Sequence, residues 1–317
     1  MSCVAVAVAG LWTSPDAPRA VDAPALENPA RLGRWLAGLD DETRLSLCKQ
    51  KLLATQALLD TPVKVIEHAS DRHGAAWCRV IVPSQPSSLD PRGYPGWIPK
   101  AQLAEKDGCT AYAEAAMVIS PIAWLQGLPG DHAIKLSFLT RLRLAEPITR
   151  HASRIGIESS LGRGWLPRDA VHLPGEHFPA TAANLEMLGR RFDGLRYLWA
   201  GNSSFGYDCS GLVHSLFAAV GIVLPRDAHD QVETGRAIEP AERRPGDLLF
   251  FEKPNADGKL VVDHVALYLG DDRMLHAPTN NARIECRRLG GSRYAEQLCA
   301  VRRYLPRRTS ADDRQTA

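Results

Sequence analysis

At 317 residues with 45% hydrophobic content, the chain is long enough for two or three compact units and a sizeable core. Its 38 basic and 36 acidic residues leave a net charge of +2, too little to imply nucleic acid or an acidic membrane surface as a partner. The seven cysteines (Cys3, Cys48, Cys78, Cys109, Cys209, Cys286, Cys299) form no Cys-x-x-Cys pair and no metal-ligand pattern; an odd, scattered set favours reduced thiols in the cytoplasm over a disulfide framework.

The run from Cys3 to Trp12 reads as a buried strand. It has the length of a signal-peptide core, but no Lys or Arg precedes it and no small-x-small site comes before Pro15. Export to the cell envelope is the alternative, should the true start lie elsewhere. No other stretch approaches the roughly 20 apolar residues of a membrane span. Between residues 28 and 54, Leu32, Trp35, Leu36, Leu39, Leu45, Leu47, Leu52 and Leu53 predict the apolar faces of two helices, split near Gly38 to Asp41. Strands follow at Val63–Glu67 and Ala76–Val82.

Gly96-Trp97-Ile98-Pro99 recurs as Gly164-Trp165-Leu166-Pro167, a weak internal repeat. The short aliphatic runs between them, Ala116–Ile119, Ile134–Leu144 and Arg154–Glu158, are divided by Gly, Pro and Ser turns and predict small β-barrels. A helix is expected within 176–196. Leu212, Val213, Leu216, Phe217 and Val220 then predict a second helix, closed by Gly221 and starting at Cys209. Free backbone N–H groups and the helix dipole at that start favour a thiolate and are expected to lower the thiol pKa. Strand-like segments at Gly246–Phe251, Val261–Leu269 and Arg273–His276 follow, and Ala300–Tyr304 is expected to close the sheet. One helix on an antiparallel sheet makes this unit α+β.

A nucleophilic cysteine needs a base, and the base needs a group that holds its orientation. His264, in Val-Val-Asp-His-Val-Ala-Leu-Tyr, and His276, in Arg-Met-Leu-His-Ala-Pro, supply that pair in chain order. With them stand Tyr197-Leu198-Trp199-Ala200-Gly201, Asp208-Cys209-Ser210-Gly211-Leu212, Leu224-Pro225-Arg226-Asp227 and Arg244-Pro245-Gly246-Asp247-Leu248. These blocks, in this order, resemble the NlpC-type cell-wall cysteine peptidases. The two Gly-Trp-x-Pro endings resemble bacterial SH3 domains.

The resemblance implies a papain-like catalytic unit over 176–307 and two SH3-like barrels at 1–107 and 108–175, the first with a helical insertion. A tail follows at 308–317. It further implies Cys209 as nucleophile, His264 as base and His276 as orienting residue. Tyr197 and the Cys209 N–H would face the oxyanion, with Trp199 nearby, while Asp208 and Ser210, flanking the nucleophile, would contact main-chain or carboxylate groups of the substrate, with Arg226 in the same substrate-binding set. Asp208 can equally cap the helix.

Members with this architecture cut the γ-D-glutamyl–diamino acid bond of peptidoglycan stem peptides having a free N-terminal L-alanine. An Asp at the position of Asp227, after Arg226, and the Tyr of a Gly-Tyr-x-Gly-Trp run, here Tyr94, bind the ammonium. Two departures stand out: Ala228 replaces the family's Ser after Arg-Asp, and the acid after Thr55-Gln56-Ala57-Leu58 is displaced by one position to Asp60. No cofactor or metal is expected, and the partner is a peptidoglycan-derived peptide bound by a monomer. A same-fold amidase on another peptide and a non-catalytic wall-binding scaffold are the competing readings. Intact Cys209 and His264 argue against the scaffold.

Overall fold

The computed structural model describes residues 2–105, 115–130, 132–147, 152–278 and 282–306. Two seven-stranded antiparallel sheets precede a unit of helices on a six-stranded sheet. In spatial order the first sheet runs Leu53–Leu58, Val8–Trp12, Tyr94–Pro99, Ala76–Val82, Pro62–Ser70, Ser2–Val4, Leu103–Glu105. The second runs His132–Ser137, Ile122–Leu128, Gly162–Pro167, Arg154–Ser159, Arg141–Leu144, Ala115–Val118, Val171–His172.

Counted along the chain within each sheet, the two strand orders are the same. The sequence repeat is therefore a structural one, with both Gly-Trp-x-Pro runs on the sixth strand and each followed by a single 3-10 turn, Lys100–Gln102 or Arg168–Ala170. Glycine opens the repeat because the neighbouring strand presses on it. A Cβ would meet the Leu11 Cβ at 2.8 Å from Gly96 and the Gln126 carbonyl at 2.6 Å from Gly164.

Three expectations need correction. The run from Cys3 to Trp12 is two strands, Ser2–Val4 and Val8–Trp12, because the chain crosses between them from one part of the sheet to another. Ile134–Leu144 is likewise divided, and the strand Ile122–Leu128 was not anticipated; Gly127, at φ +72°, interrupts its alternation. Ala300–Tyr304 does not close the third sheet. The strand Leu298–Arg303 lies inside it, between Arg236–Ile238 and Leu248–Pro254. The true edges, Arg236–Ile238 and Glu285–Arg288, are short and charged, as edges that resist further pairing are, and carry little apolar signal.

The two helices form at Leu32–Gly38 and Asp41–Lys49, with Asp40 capping the Thr43 N–H, but Leu52 and Leu53, expected on their apolar faces, lie beyond the second helix, and Leu53 opens the strand Leu53–Leu58. In the third unit Thr181 caps the helix Ala182–Arg190, and the helix Cys209–Ala219 lies against the sheet, whose remaining strands are Leu260–Gly270 and Arg273–His276. Strand alternation sorts two cores. Val265, Leu267 and Leu275 join Leu212, Leu216 and Phe217 of the Cys209 helix, while Phe251, Ala266, Met274 and Tyr294 pack in a separate cluster.

The first sheet is fastened to the third unit by Trp199 Nε1 on the Leu53 carbonyl (3.1 Å). Gln56 Oε1 accepts from Asn202 N and Ser203 Oγ (3.0 and 2.8 Å). The second sheet lends Phe138 to the same core as the Cys209 helix and holds Ser204 through Ser137. No helix among the described residues is long and apolar enough to cross a membrane. The expected 107/108 boundary, Cys109 and the 308–317 tail lie outside the described residues.

Candidate active site

Cys209 is the first residue of its helix. Asp208 caps it, its Oδ1 accepting the Gly211 N–H at 2.6 Å. A Cβ on Gly211 would fall 2.2 Å from the Gly201 carbonyl, so the helix start sits directly on the Gly201 turn and admits no side chain there. The Cys209 side chain is nearly buried, at 8% exposure, and the backbone N–H of Val265, the residue after His264, acts on its thiol. The expected lowering of the thiol pKa is not found. Burial, then the Asp208 carboxylate, push it up to about 12, against the opposing pull of the Val265 N–H and Arg226.

His264 Nε2 and His276 Nδ1 are 2.8 Å apart, and the Tyr294 ring packs against both imidazoles at 5.2 and 5.0 Å. Burial, followed by the charge of His276, holds His264 well below the usual histidine range. Burial, then Arg287 and Arg293, bring His276 to about 3. Burial thus favours the neutral form of the thiol and of both imidazoles.

Buried neutral histidines also set a stability window. His214, whose Nδ1 meets the Leu224 carbonyl at 2.9 Å, is lowered to about 4, chiefly by burial. For His214, His264 and His276 the folded pKa lies below the unfolded value, so their contribution is complete above about pH 6.5 and is lost as pH falls toward the folded values. Each contributes up to about 1.4 kcal/mol per pH unit in that window. Urea midpoints are expected to be flat from pH 8 to 7 and to fall steeply from pH 6 to 5. A level profile down to pH 5 contradicts neutral burial of this set.

Behind Cys209 lies a fully buried guanidinium. Arg226 donates through Nη1 and Nη2 to the two Asp208 oxygens (3.1 and 2.8 Å), to Ser210 Oγ (2.9 Å), to the Gly201 carbonyl (3.2 Å), and through Nε to Thr55 Oγ1 in the first sheet (3.0 Å). Burial works against its charge, but Asp208 and Asp227 more than offset this and raise its pKa. Asp208 and Ser210 therefore face Arg226, and Arg226 faces the protein interior.

Tyr94 Oη donates to Asp227 Oδ2 at 2.8 Å, bridging the first sheet and the third unit. Burial raises the Asp227 pKa, opposed by Arg226 and by the Tyr94 hydrogen bond. The phenol of Tyr197 is buried and kept protonated, first by burial and then by the neighbouring Cys209 and Asp208.

Asp60, expected beside the substrate, reaches the second sheet. Both its carboxylate oxygens accept from the Ser160 N–H of the second sheet (3.0 and 3.3 Å), at a residue whose φ is +59°. Asp227, His229 and Asp230 bring ligand-capable atoms within 4.8 Å of one another, but Asp227 already takes the Tyr94 hydrogen and Asp230 the Ser88 N–H. Thr55 was visible only as the start of the Thr55-Gln56-Ala57-Leu58 run and not as a partner of Arg226, and Tyr294, an aromatic on the five-residue helix Arg293–Gln297, carries no local motif.

Residues 194–303 match the model of the NlpC/P60 family. Over 96% of the chain, and 98% of the relative, the sequence is 39% identical to a γ-D-glutamyl-L-lysine dipeptidyl-peptidase of Bacillus subtilis (strain 168). A protein of the same name from Bacillus cereus (strain ATCC 10987 / NRS 248) is 34% identical, covering 95% of this chain and 90% of its own. The crystal structure of an NlpC/P60 family protein from Bacillus cereus ATCC 10987 superposes with a TM-score of 0.87 at 32% identity, over 96% of this chain and 99% of the other.

Proposed function

The chain belongs to the NlpC/P60 family of cysteine peptidases, and we propose that it hydrolyses the γ-D-glutamyl–diamino acid bond of peptidoglycan stem peptides whose N-terminal L-alanine is free. The observation that carries this reading is the Tyr94–Asp227 hydrogen bond, which builds an acidic, aromatic seat from two different units of the chain. In our reading the two seven-stranded sheets are SH3-like modules and the third unit is papain-like. The first module walls off one side of the cleft, so that short soluble peptides enter and glycan-linked stems do not. The enzyme then acts as a monomer in a reducing compartment, consistent with no disulfide joining the six described cysteines.

His264 Nε2 is engaged by His276, which leaves Nδ1 to take the Cys209 proton as sulfur attacks the glutamyl carbonyl. The helix dipole and the Cys209 N–H, with the Tyr197 phenol, stabilise the oxyanion. The imidazolium next protonates the departing diamino-acid nitrogen. Water, deprotonated by the same nitrogen, then cleaves the thioester.

The roles within this set divide by contact. Tyr94 and Asp227 bind the ammonium, and Asp208, Ser210 and Arg226 position the nucleophile. Trp199, tied to Leu53, lines the junction.

The test is to incubate the enzyme with L-Ala-γ-D-Glu-diaminopimelate and with its N-acetylated form. Only the first is expected to release diaminopimelate. Asp227→Asn and Tyr94→Phe are expected to raise KM for the free peptide by roughly 10- to 100-fold, the scale of a charge-assisted hydrogen bond. Equal cleavage of both peptides by the parent enzyme removes the ammonium seat and favours the same-fold amidase reading.

A further inference from the structure

We propose that Glu285 is a positioning residue that sets the tautomer of the His264–His276 pair by accepting the Nε2 hydrogen of His276. The inference rests on the peptidase reading above and deepens it by one residue.

The catalytic cycle demands a particular arrangement of protons. His264 must present an unprotonated Nδ1 to the thiol, so its own hydrogen sits on Nε2. That nitrogen lies 2.8 Å from His276 Nδ1, which therefore has to accept and must itself be bare. His276 then carries its hydrogen on Nε2. A buried donor needs an acceptor, and this one has no hydrogen-bond partner of ordinary geometry among the described residues. Were the hydrogen to move to His276 Nδ1 instead, two hydrogens would meet or His264 would be forced into the wrong tautomer.

Glu285 is the group placed to prevent this. It is the direct cross-strand partner of His276 in the pairing of Arg273–His276 with Glu285–Arg288, a relation fixed by backbone register. Its Oε1 stands 3.5 Å from His276 Nε2, short of a good hydrogen bond by a few tenths of an ångström. The carboxylate is half-exposed and free to close that gap, whereas the imidazole is held by the Tyr294 ring, which meets it at 86°.

The charged groups around His276 are few. Arg287, on the strand of Glu285, reaches Glu285 Oε1 at 3.3 Å, and Arg293 of the Arg293–Gln297 helix lies over the Tyr294 ring and, being donor-only, cannot accept the imidazole hydrogen. Both guanidiniums disfavour a cationic His276. Glu285 is thus an acceptor for a neutral imidazole, and no proton passes to it. As Cys209 yields its hydrogen to His264 Nδ1, the new imidazolium keeps Nε2–H on His276, and His276 keeps Nε2–H on Glu285. The negative charge two rings away then steadies the cation.

The experiment uses the full-length enzyme with ¹⁵N-labelled histidine, together with Glu285→Ala and Glu285→Gln. In the parent, the His276 nitrogen shifts are expected to report a single Nε2–H tautomer. In Glu285→Ala they should report a mixture, with kcat down by about 10- to 100-fold and KM within twofold. That loss is smaller than the ~10⁴-fold caused by misplacing the tautomer beside a fully buried carboxylate. Glu285→Gln, whose amide oxygen still accepts, should restore the single tautomer and most of kcat.

An unchanged His276 spectrum in Glu285→Ala overturns the proposal, as does a defect confined to KM. Position 285 is on an exposed edge strand, so folding is expected to survive and is checked by the thermal midpoint. If the parent enzyme cleaves no γ-D-glutamyl peptide, the substrate reading fails while the nitrogen shifts still decide the role of Glu285.

Discussion

Cys209→Ala is expected to lower turnover of L-Ala-γ-D-Glu-diaminopimelate by at least about 10⁴-fold, with a thermal midpoint within a few degrees of the parent. The asymmetry follows from where the sulfur lies. It caps nothing: the helix start is held by Asp208 and by Arg226 behind it, and both survive the substitution. What disappears is a group that no neighbour can replace. The flanking hydroxyl of Ser210 is engaged with Arg226 and Asp208, and the nearest phenol, Tyr197, is kept protonated by burial.

Cys209→Ser is expected to be nearly as inactive. A site whose burial already raises a thiol to about 12 raises an alcohol, intrinsically far less acidic, beyond reach of a histidine that is itself held neutral. Turnover by Cys209→Ala at the parent rate, measured as released diaminopimelate, would eliminate cysteine catalysis.

Arg226→Ala is expected to cost about 3–5 kcal/mol of stability, the usual result of breaking a buried ion pair by removing one partner. Asp208 would be left buried with its charge unmatched, while Thr55 Oγ1, Ser210 Oγ and the Gly201 carbonyl would each lose a donor. Activity should fall with it, because the same guanidinium ties the first sheet to the start of the Cys209 helix. Arg226→Lys is not expected to rescue: one ammonium on a flexible stem cannot serve acceptors that a planar fork reaches in several directions at once. The paired change Arg226→Met with Asp208→Asn should recover part of the loss, since the buried carboxylate at position 208 is then no longer left without its cation. Denaturant midpoints of the four proteins decide it. A single Arg226→Ala variant as stable as the parent would show that the ion pair contributes nothing.

Much of the site was legible before any coordinates. The helix beginning at Cys209 follows from the spacing of Leu212, Val213, Leu216 and Phe217, and it ends at Ala219 with Gly221 at φ +81° just beyond. His264 and His276 stand on adjacent strands, as their apolar flanks suggested. The Gly-Trp-x-Pro repeat marked the duplicated sheet because glycine is required wherever a neighbouring strand presses closely, and that requirement leaves a visible residue. Short charged edge strands left none, so Arg236–Ile238 and Glu285–Arg288 went unseen.

The protonation of the site was read with the wrong sign. A helix start argues locally for a thiolate, yet desolvation depends on what the rest of the chain packs over the sulfur, and here it outweighs the dipole. Arg226 shows the same division. Its identity and its place beside Asp227 were plain, but a cation drawn toward substrate and a cation enclosed by five acceptors look alike in one dimension. Local pattern thus determined the elements on which Cys209, His264 and His276 stand, because helix and strand periodicities are properties of neighbours in the chain. Charge state, partner and exposure were decided only when three units closed around those residues, because burial is set by segments as distant in sequence as Thr55 is from Arg226 and Tyr94 from Asp227.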